Sequence, residues 1–367
     1  MDLVALRAAG LYDPDSPTAS DRRALLEYLD RHGATVAQMV EADADGVLYA
    51  LSSYLAAFAP GDRIPLQEVA ERSGRTVEAI RRLLLAEGLT VDDRSLLPEH
   101  TVYDAAAFEM ATALFGEEAT LAFTRVLGAS VARIVDAAIS LFFGGVNPPT
   151  TGESELERAR ANERAGTAFG LLPSVMTHLL EQSFRLESIR AAAARGDGLG
   201  QLATVGIGFV DLVGSTPWAA GLDLKDHALA LSGFETAAWD IATEHGGRVV
   251  KLIGDEAMIV SASAETVCHI ALALCAAVGA DPALPGARAG VGFGDVIARG
   301  GDYSGPLVNL VARSVKEAEE GAVVVTDDVR RRLPPSWSVA DLGTRVLRGI
   351  GEPIALFAVT GAPTPAG

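Results

Sequence analysis

Val249-Val-Lys-Leu-Ile-Gly-Asp-Glu-Ala-Met-Ile-Val-Ser261 is the stretch of sequence that decides the fold. Valine and isoleucine residues on both sides of Gly254-Asp255 predict two short strands, because such side chains favour a pleated, half-buried surface. The Gly-Asp pair predicts a tight turn between those strands. Asp255 then lies at the turn, where its carboxylate can project from the end of the sheet.

A second aspartate follows another apolar run, Val205-Gly-Ile-Gly-Phe-Val-Asp-Leu-Val-Gly-Ser-Thr216. This run predicts a strand that ends at Asp211, followed by the loop Leu212–Thr216 and a helix after Pro217. Carboxylates bind hard cations, and the free amides at a helix start bind phosphate. Two carboxylates at strand ends, beside such a loop, therefore predict a site for metal ions and a polyphosphate.

The composition is that of a globular protein with sizeable cores. The chain has 367 residues, enough for two domains, and is 49% hydrophobic and 21% charged. Its formal net charge of −18 argues against tight, nonspecific binding to nucleic acid. Binding of an anionic ligand would accordingly need metal ions and a few cationic residues at the binding site.

Neither a disulfide nor a membrane span is expected. Cys268 and Cys275 lie seven residues apart in a helical stretch, so they should share one buried face as free thiols. The most apolar segment, 119–146, contains two arginines and an aspartate and therefore predicts a buried amphipathic helix. No signal peptide opens the chain, and we expect a cytoplasmic protein.

Residues 1–190 have the pattern of an all-helical domain. Within them, 64–91 has the spacing of a helix-turn-helix around Gly74, which is compatible with DNA binding and with a three-helix packing unit. DNA binding is disfavoured, because glutamates are interleaved with the arginines of this segment: Arg72, Arg75, Arg81 and Arg82. Residues 191–202 form the predicted linker.

Residues 203–361 change to strand-like runs that alternate with helices, and 362–367 form a short tail. Strands are predicted near 204–211, 248–253, 256–261, 287–293, 295–298, 322–326, 337–341 and 354–360. Helices are predicted near 217–245, 264–279, 305–320 and 327–333. This mixed pattern predicts an α+β domain in which helices cover one sheet.

Four motifs, in family order, make residues 203–360 similar to the catalytic domain of class III nucleotidyl cyclases. They are Phe-Val-Asp-Leu-Val-Gly-Ser-Thr at 209–216, Lys-Leu-Ile-Gly-Asp-Glu at 251–256, Asp-Tyr-Ser-Gly-Pro-Leu-Val-Asn-Leu-Val-Ala-Arg at 302–313 and Leu-Arg-Gly-Ile-Gly-Glu at 347–352. The resemblance implies a ferredoxin-like βαββαβ core and a head-to-tail homodimer. By helical content and position, the N-terminal half is similar to the regulatory half of soluble bacterial adenylyl cyclases, some of which respond to pH or lipids.

The resemblance assigns roles to the metal- and base-binding residues. Asp211 and Asp255 match the family's metal-binding aspartates and imply two divalent cations, Mg or Mn. Lys251 and Asp302 match the positions that read the purine; adenylyl cyclases carry this Lys/Asp pair, whereas guanylyl cyclases carry Glu and Cys. Hydrogen bonding agrees with this assignment, since the lysine can donate to adenine N1 and the aspartate can accept from the 6-amino group.

The remaining motif residues concern the ribose and the phosphates. Asn309 and Arg313 match the pair that orients the ribose and stabilises the transition state, and Arg348 matches a basic residue for the terminal phosphates. The resemblance implies that loop amides cradle phosphate at Leu212, Val213, Gly214, Ser215 and Thr216. The sequence departs from the family at Ser215, where many members have an aromatic residue, and at Arg299-Gly-Gly301, which nearly removes the dimerisation arm and resembles a short-armed bacterial subclass.

We expect an adenylyl cyclase, a phosphorus–oxygen lyase that converts ATP to 3′,5′-cyclic AMP and pyrophosphate. The expected assembly is a homodimer with two composite active sites, regulated by the N-terminal domain through a signal such as pH or lipid. A guanylyl cyclase is a near alternative, disfavoured by Lys251 and Asp302. A non-enzymatic nucleotide sensor or transcription regulator is a second alternative, disfavoured because every catalytic position carries a chemically competent residue.

Overall fold

The computed structural model describes residues 2–58, 63–145, 154–194 and 202–363. The chain divides into two compact units, Met1–Ser183 and Phe184–Gly367. Each unit contains its own hydrophobic clusters. Among the described helices, none combines the length and the apolar composition that a membrane span requires.

The N-terminal unit is mainly helical. Its helices are α1 (Leu3–Ala8), α2 (Ala19–Arg31), α3 (Val36–Ala44), α4 (Leu51–Ala57), α5 (Leu66–Ser73), α6 (Val77–Glu87), α7 (Thr101–Phe115), α8 (Glu117–Gly145), α9 (Glu155–Phe169) and α10 (Leu172–Ala194). Thr35 begins α3 with a capping box to Gln38, which satisfies amides that the first helical turn leaves free. The helices α9 and α10 are separated at Gly170-Leu171.

A small antiparallel sheet accompanies the predicted helix-turn-helix. Its strands are β1 (Arg63–Pro65) and β2 (Leu96–Pro98), which flank α5 and α6 and are absent from the sequence-based prediction. The arginines of this segment all face acidic side chains: Arg72 pairs with Glu68 and Glu99, Arg75 with Glu109, Arg81 with Asp93 and Arg82 with Glu117. Each of these arginines therefore has a carboxylate within ion-pairing distance.

The second unit is built on one eight-stranded sheet. Its strands are β3 (Leu202–Leu212), β4 (Arg248–Ile253), β5 (Glu256–Ser261), β6 (Ala287–Arg299), β7 (Asp302–Ser304), β8 (Val323–Thr326), β9 (Ser338–Arg345) and β10 (Ile354–Gly361). Its helices are α11 (Ser215–Ala220), α12 (Leu224–Glu244), α13 (Ala264–Ala280), α14 (Pro306–Ser314) and α15 (Asp327–Arg330). The strand order is β4-β5-β3-β6-β8-β10-β9, with β7 paired to β6.

The chain order β3-α12-β4-β5-α13-β6 and the antiparallel order β4-β5-β3-β6 confirm the ferredoxin-like βαββαβ prediction. Several elements differ from the prediction: β7 was not predicted, and the helix predicted over 305–320 ends as α14 at Ser314. The strands predicted at 287–293 and 295–298 form the single strand β6, and the helix predicted over 217–245 is two helices, of which α11 begins at Ser215. Pro217 lies in the first turn of α11. Backbone N–H groups in a first turn have no partner within the helix, so the N–H that proline lacks costs no hydrogen bond.

The two faces of the sheet carry different helices. Side chains alternate along β3, so Val210 and Leu212 pack into a core with α12 and α13, which also buries Cys268 and Cys275 as free thiols. Burial raises the pKa of each thiol to about 12. Phe209 and its alternate neighbours pack on the opposite face, against α14.

Two glycines of β6 allow α14 to lie close to the sheet. A Cβ atom at Gly292 would lie 2.4 Å from Cγ2 of Val311, and one at Gly290 would lie 2.6 Å from Oγ of Ser314 and 3.0 Å from the Val311 carbonyl oxygen. Any larger side chain would therefore push the helix outward. This close approach positions α14, and with it Asn309 and Arg313, at the end of β3.

Candidate active site

Asp211 and Asp255 meet at one edge of the sheet. Asp211 lies one residue before the end of β3, on the face that carries α14, and its register partner on β5 is Glu256. Asp255 lies in the turn between β4 and β5, where Gly254 adopts a φ of 64°. The Leu212 amide donates to the Asp255 carbonyl at 3.2 Å, which ties this turn to the end of β3.

A cavity of about 350 Å³ opens beside these carboxylates. It is lined by Asp211, Ile253, Asp255, Glu256, Asn309, Ala312, Arg313, Val315 and Lys316. Asn309 and Arg313 lie four residues apart on α14 and so share one helix face, which is exposed. The structure therefore brings together, within one chain, four of the residues predicted from the sequence: Asp211, Asp255, Asn309 and Arg313.

The carboxylates of this cavity repel one another in a partly desolvated setting. Burial is the main cause that raises the pKa of Asp211, and the charge of Asp255 adds to it, while Arg288 acts in the opposite direction. Burial and then the charges of Asp211 and Asp255 raise the pKa of Glu256 to about 7. A bound cation would relieve this repulsion, so the donor set fits a hard divalent metal.

The described residues contain no group of three or more His, Cys, Asp or Glu side chains that could hold a metal ion. Magnesium commonly binds one or two carboxylates and takes its other ligands from water and substrate phosphates. The pair Asp211 and Asp255 fits that pattern, because phosphate and water oxygens would complete the coordination.

Three residues of this site were missed in the sequence analysis. Arg288 lies opposite Asp211 in the β3–β6 register, and its Nη2 atom is 3.2 Å from Oδ2 of Asp211. Glu256 and Lys316 line the cavity itself. Glu256 directly follows Asp255 in sequence, and Lys316 follows Arg313 by three residues, so both were detectable from spacing. Arg288 could be found only from the strand register.

Lys251 and Asp302, which are predicted to read the purine, form a separate contact. Nζ of Lys251 lies 2.5 Å from Oδ2 of Asp302, and neither residue is among those lining the cavity. A β-bulge between Val249 and Lys251 places Lys251 opposite Met258, on the α14 face of the sheet. Strict alternation would have pointed this lysine to the other face with Val249, so the bulge directs it towards Asp302.

Two amides of the predicted phosphate loop have backbone partners in the structure. The amides of Leu212 and Val213 donate to the carbonyls of Asp255 and Gly286, at 3.2 Å and 3.0 Å, so they are not available to a phosphate. This corrects the predicted loop at Leu212 and Val213 and leaves Gly214, Ser215 and Thr216, which begin α11.

Arg348 is exposed, and no hydrogen bond or ion pair joins it to another described residue. Its neighbour Leu347 is buried in a cluster with Val324 and Leu356. The structure does not bring Arg348 to the cavity of the same chain.

Comparison with known proteins finds adenylate cyclases among the proteins that this chain resembles. Residues 7–187 match the family model of the adenylate cyclase regulatory domain. The chain is 33% identical to an uncharacterized protein of Mycobacterium tuberculosis over 97% of its own length and 94% of that protein. It is 28% identical to a pH-sensitive adenylate cyclase of Mycobacterium tuberculosis over 84% of the chain and 80% of that enzyme. It is 30% identical to an adenylate cyclase of Streptomyces coelicolor over 58% of the chain and 55% of that enzyme.

Proposed function

Because this chain belongs to the bacterial class III adenylyl cyclases, we propose that it converts ATP to 3′,5′-cyclic AMP and pyrophosphate by in-line attack of the ribose 3′-hydroxyl on the α-phosphorus. The observation that carries this proposal is the meeting of the two carboxylates Asp211 and Asp255 at one cavity. We place the reaction in the cytoplasm, where ATP is available.

Asp211 and Asp255 are proposed to hold two divalent cations, Mg or Mn. When bound, such ions supply positive charge to the 3′-hydroxyl and to the phosphates. The partly buried carboxylate of Asp211 and its repulsion from Asp255 support this assignment, since both favour a cation at the site.

Other residues of the chain are proposed to handle the nucleotide directly. Arg313 presents a rigid fork of N–H donors to the charge that develops at the α-phosphate, and Asn309 orients the ribose. Arg288 and Lys316 are further cations beside the carboxylates and suit the triphosphate. The amides of Gly214, Ser215 and Thr216 remain candidates for phosphate, and Arg348 remains assigned to the terminal phosphates by resemblance alone.

Each active site is proposed to be composite, with two chains contributing. The cavity of one chain lacks the purine-reading pair Lys251 and Asp302, so that cavity alone does not contact the whole nucleotide. In the head-to-tail arrangement of the family, Asp211 and Asp255 of one chain would face the purine-reading pair and α14 of its partner. An isologous dimer would then contain two such sites.

The choice of base provides a direct test. Wild-type protein should turn over ATP, with Mg or Mn, in strong preference to GTP, because guanine offers Lys251 a donor and Asp302 an acceptor. Replacing Lys251→Glu together with Asp302→Cys should lower kcat/KM for ATP at least about a hundredfold and raise the relative use of GTP. Steady-state assays on both nucleotides measure this change. An unchanged preference for ATP in the double variant would contradict the base-reading role, whereas inactivity of wild type on both nucleotides would contradict cyclase activity.

The N-terminal unit is proposed to regulate the cyclase, with pH or a lipid as the signal. Within this unit, Nε2 of His32 lies 3.1 Å from Oε1 of Glu163, which joins α2 to α9. Such a pair is an ion pair only when the imidazole is protonated. The helix α10 contains the boundary between the two units and precedes β3 in the sequence.

Removing residues 1–190 is therefore expected to change the cyclase rate and to abolish any response to pH or ligand, because the proposed regulatory unit is lost. Rates of the full chain and the shortened protein across pH 5–8 measure the effect, with light scattering to show that both are dimers. A shortened dimer with the rate and pH profile of the full chain would remove the regulatory proposal.

A further inference from the structure

Two side-chain contacts join β4 to β7 on the face of the sheet that carries α14. Lys251 contacts Asp302, and three residues earlier on β4, Nη2 of Arg248 donates to Oη of Tyr303 at 3.3 Å. Residues three apart on a regular strand point to opposite faces. The β-bulge between Val249 and Lys251 removes that difference, so Arg248 and Lys251 both face β7.

Tyr303 connects the two contacts through the backbone. Its amide donates to Oδ1 of Asp302 at 2.7 Å, while Oδ2 of the same carboxylate contacts Lys251. The rotamer of Asp302 is therefore held by the position of the Tyr303 backbone. A shift of Tyr303 would move the carboxylate that is assigned to the purine 6-amino group.

Arg248 fixes the side chain of Tyr303. Its guanidinium carbon lies 5.5 Å from the centre of the Tyr303 ring, within the range of a cation–π contact. The ring also packs on the buried cluster that contains Val205, Ile207 and Phe209. The tyrosine is thus held on the sheet by apolar packing and at its hydroxyl by the arginine.

A carboxylate approaches Arg248 from a different element. Oε1 of Glu187, on α10, lies 4.0 Å from Nε of Arg248. The guanidinium is therefore next to both a carboxylate and the tyrosine hydroxyl.

We propose that Arg248 and Tyr303 are positioning residues for base selection, which act by holding Asp302 in the geometry that accepts from the 6-amino group of adenine. The inference rests on the proposed role of Lys251 and Asp302 in reading the purine. Base selection then requires a fixed position of the Asp302 carboxylate as well as the presence of Lys251 and Asp302. A carboxylate displaced by about 1 Å would lose much of its discrimination between purine bases.

The test compares two substrates that differ only at the 6-position. ATP carries the amino group, and purine riboside triphosphate lacks it. Wild type should prefer ATP in kcat/KM by at least about tenfold, because the analogue leaves the Asp302 carboxylate without its partner. In Arg248→Ala this preference should fall to about twofold or less, mainly through a higher KM for ATP, while kcat/KM for the analogue stays within about threefold of wild type.

Conservative variants distinguish a role in positioning Asp302 from a role in the stability of the fold. Arg248→Lys keeps the charge and should retain most of the ATP preference. Tyr303→Phe keeps the packed ring but loses the hydroxyl, so its ATP preference should lie between those of wild type and Arg248→Ala.

Arg330→Ala is the matched control. This arginine lies 4.9 Å from the centre of the Phe357 ring, so the substitution also removes a cation–π contact, outside the residues that line the cavity. It should leave the preference unchanged.

The outcomes are distinguishable. If Arg248→Ala is folded by circular dichroism and loses activity equally on both substrates, the arginine supports structure only and the inference is wrong. If Arg248→Ala does not fold, Tyr303→Phe decides in the same way. If wild type itself uses both substrates equally, the purine role of Asp302 fails and this inference fails with it, while turnover of ATP to cyclic AMP would still stand.

Discussion

Replacing Asp211→Ala or Asp255→Ala is expected to lower turnover of ATP at least about a thousandfold, equivalent to about 4 kcal/mol of activation free energy. Both carboxylates line the cavity that also contains Asn309 and Arg313. No third acidic side chain among the described residues completes a metal-binding group with them. Losing either carboxylate should therefore prevent two cations from being held at once.

The structure suggests a second variant for Asp211. Alanine at this position would leave Arg288 without the carboxylate that it contacts at 3.2 Å, which could destabilise the sheet on its own. Asp211→Asn keeps the shape and an oxygen that can accept from Arg288 but removes the charge. The asparagine variant should therefore remain folded and show a comparable loss of turnover.

Manganese binding gives a readout that does not depend on catalysis. Electron paramagnetic resonance titration of Mn²⁺ in the presence of ATP should show fewer bound ions in Asp211→Asn than in wild type. Asp295→Ala is a matched control, because this strand aspartate is exposed and contacts Thr204 rather than the cavity. Near-normal turnover in either site variant would contradict the assignment of Asp211 and Asp255 to metal.

The core of the second unit could be predicted from the sequence because its local signals agree. Runs of β-branched residues, the turn at Gly254-Asp255 and the helix between the first two strands all favour the same βαββαβ order. The sequence was less informative where a local pattern competes with tertiary structure. Gly294 suggested a break in β6, yet long pairing with β3 carries the strand through it. The short strands β1 and β2 have only three residues each, too few for a periodic pattern.

Part of the candidate site could also be predicted, because several of its residues belong to local sequence motifs. Asp211, Asp255, Asn309 and Arg313 occur in motifs, so their types and spacing are visible in one dimension. The contact of Arg288 with Asp211 depends on the pairing of β3 with β6, which joins residues 77 positions apart. The orientation of Lys251 depends on a β-bulge, and no residue type in this stretch marks its position. The bonded amides of Leu212 and Val213 likewise follow from the fold around the loop.

Coexpression of Asp255→Ala with Arg313→Ala is expected to restore about a quarter of wild-type activity, although each variant alone is inactive. In a composite dimer, both lesions of the heterodimer fall in one site. The other site takes its carboxylates from the Arg313→Ala chain and its arginine from the Asp255→Ala chain, and is complete. Random pairing makes half of the dimers heterodimers, and each has one working site of two.

The structure makes this experiment decisive, because one chain already brings Arg313 and Asp255 to the same cavity. If Arg313 serves the carboxylates of its own chain, every site in the heterodimer carries a lesion and no activity returns.

Coexpression of Asp211→Ala with Asp255→Ala is the matched control, since both lesions then affect the metal carboxylates and both heterodimer sites stay broken in either arrangement. Two affinity tags, purified in sequence, isolate the heterodimer and show that it has formed. Activity in the first heterodimer and none in the second would establish that Arg313 acts across the interface, whereas an inactive first heterodimer would assign Arg313 to the carboxylates of its own chain.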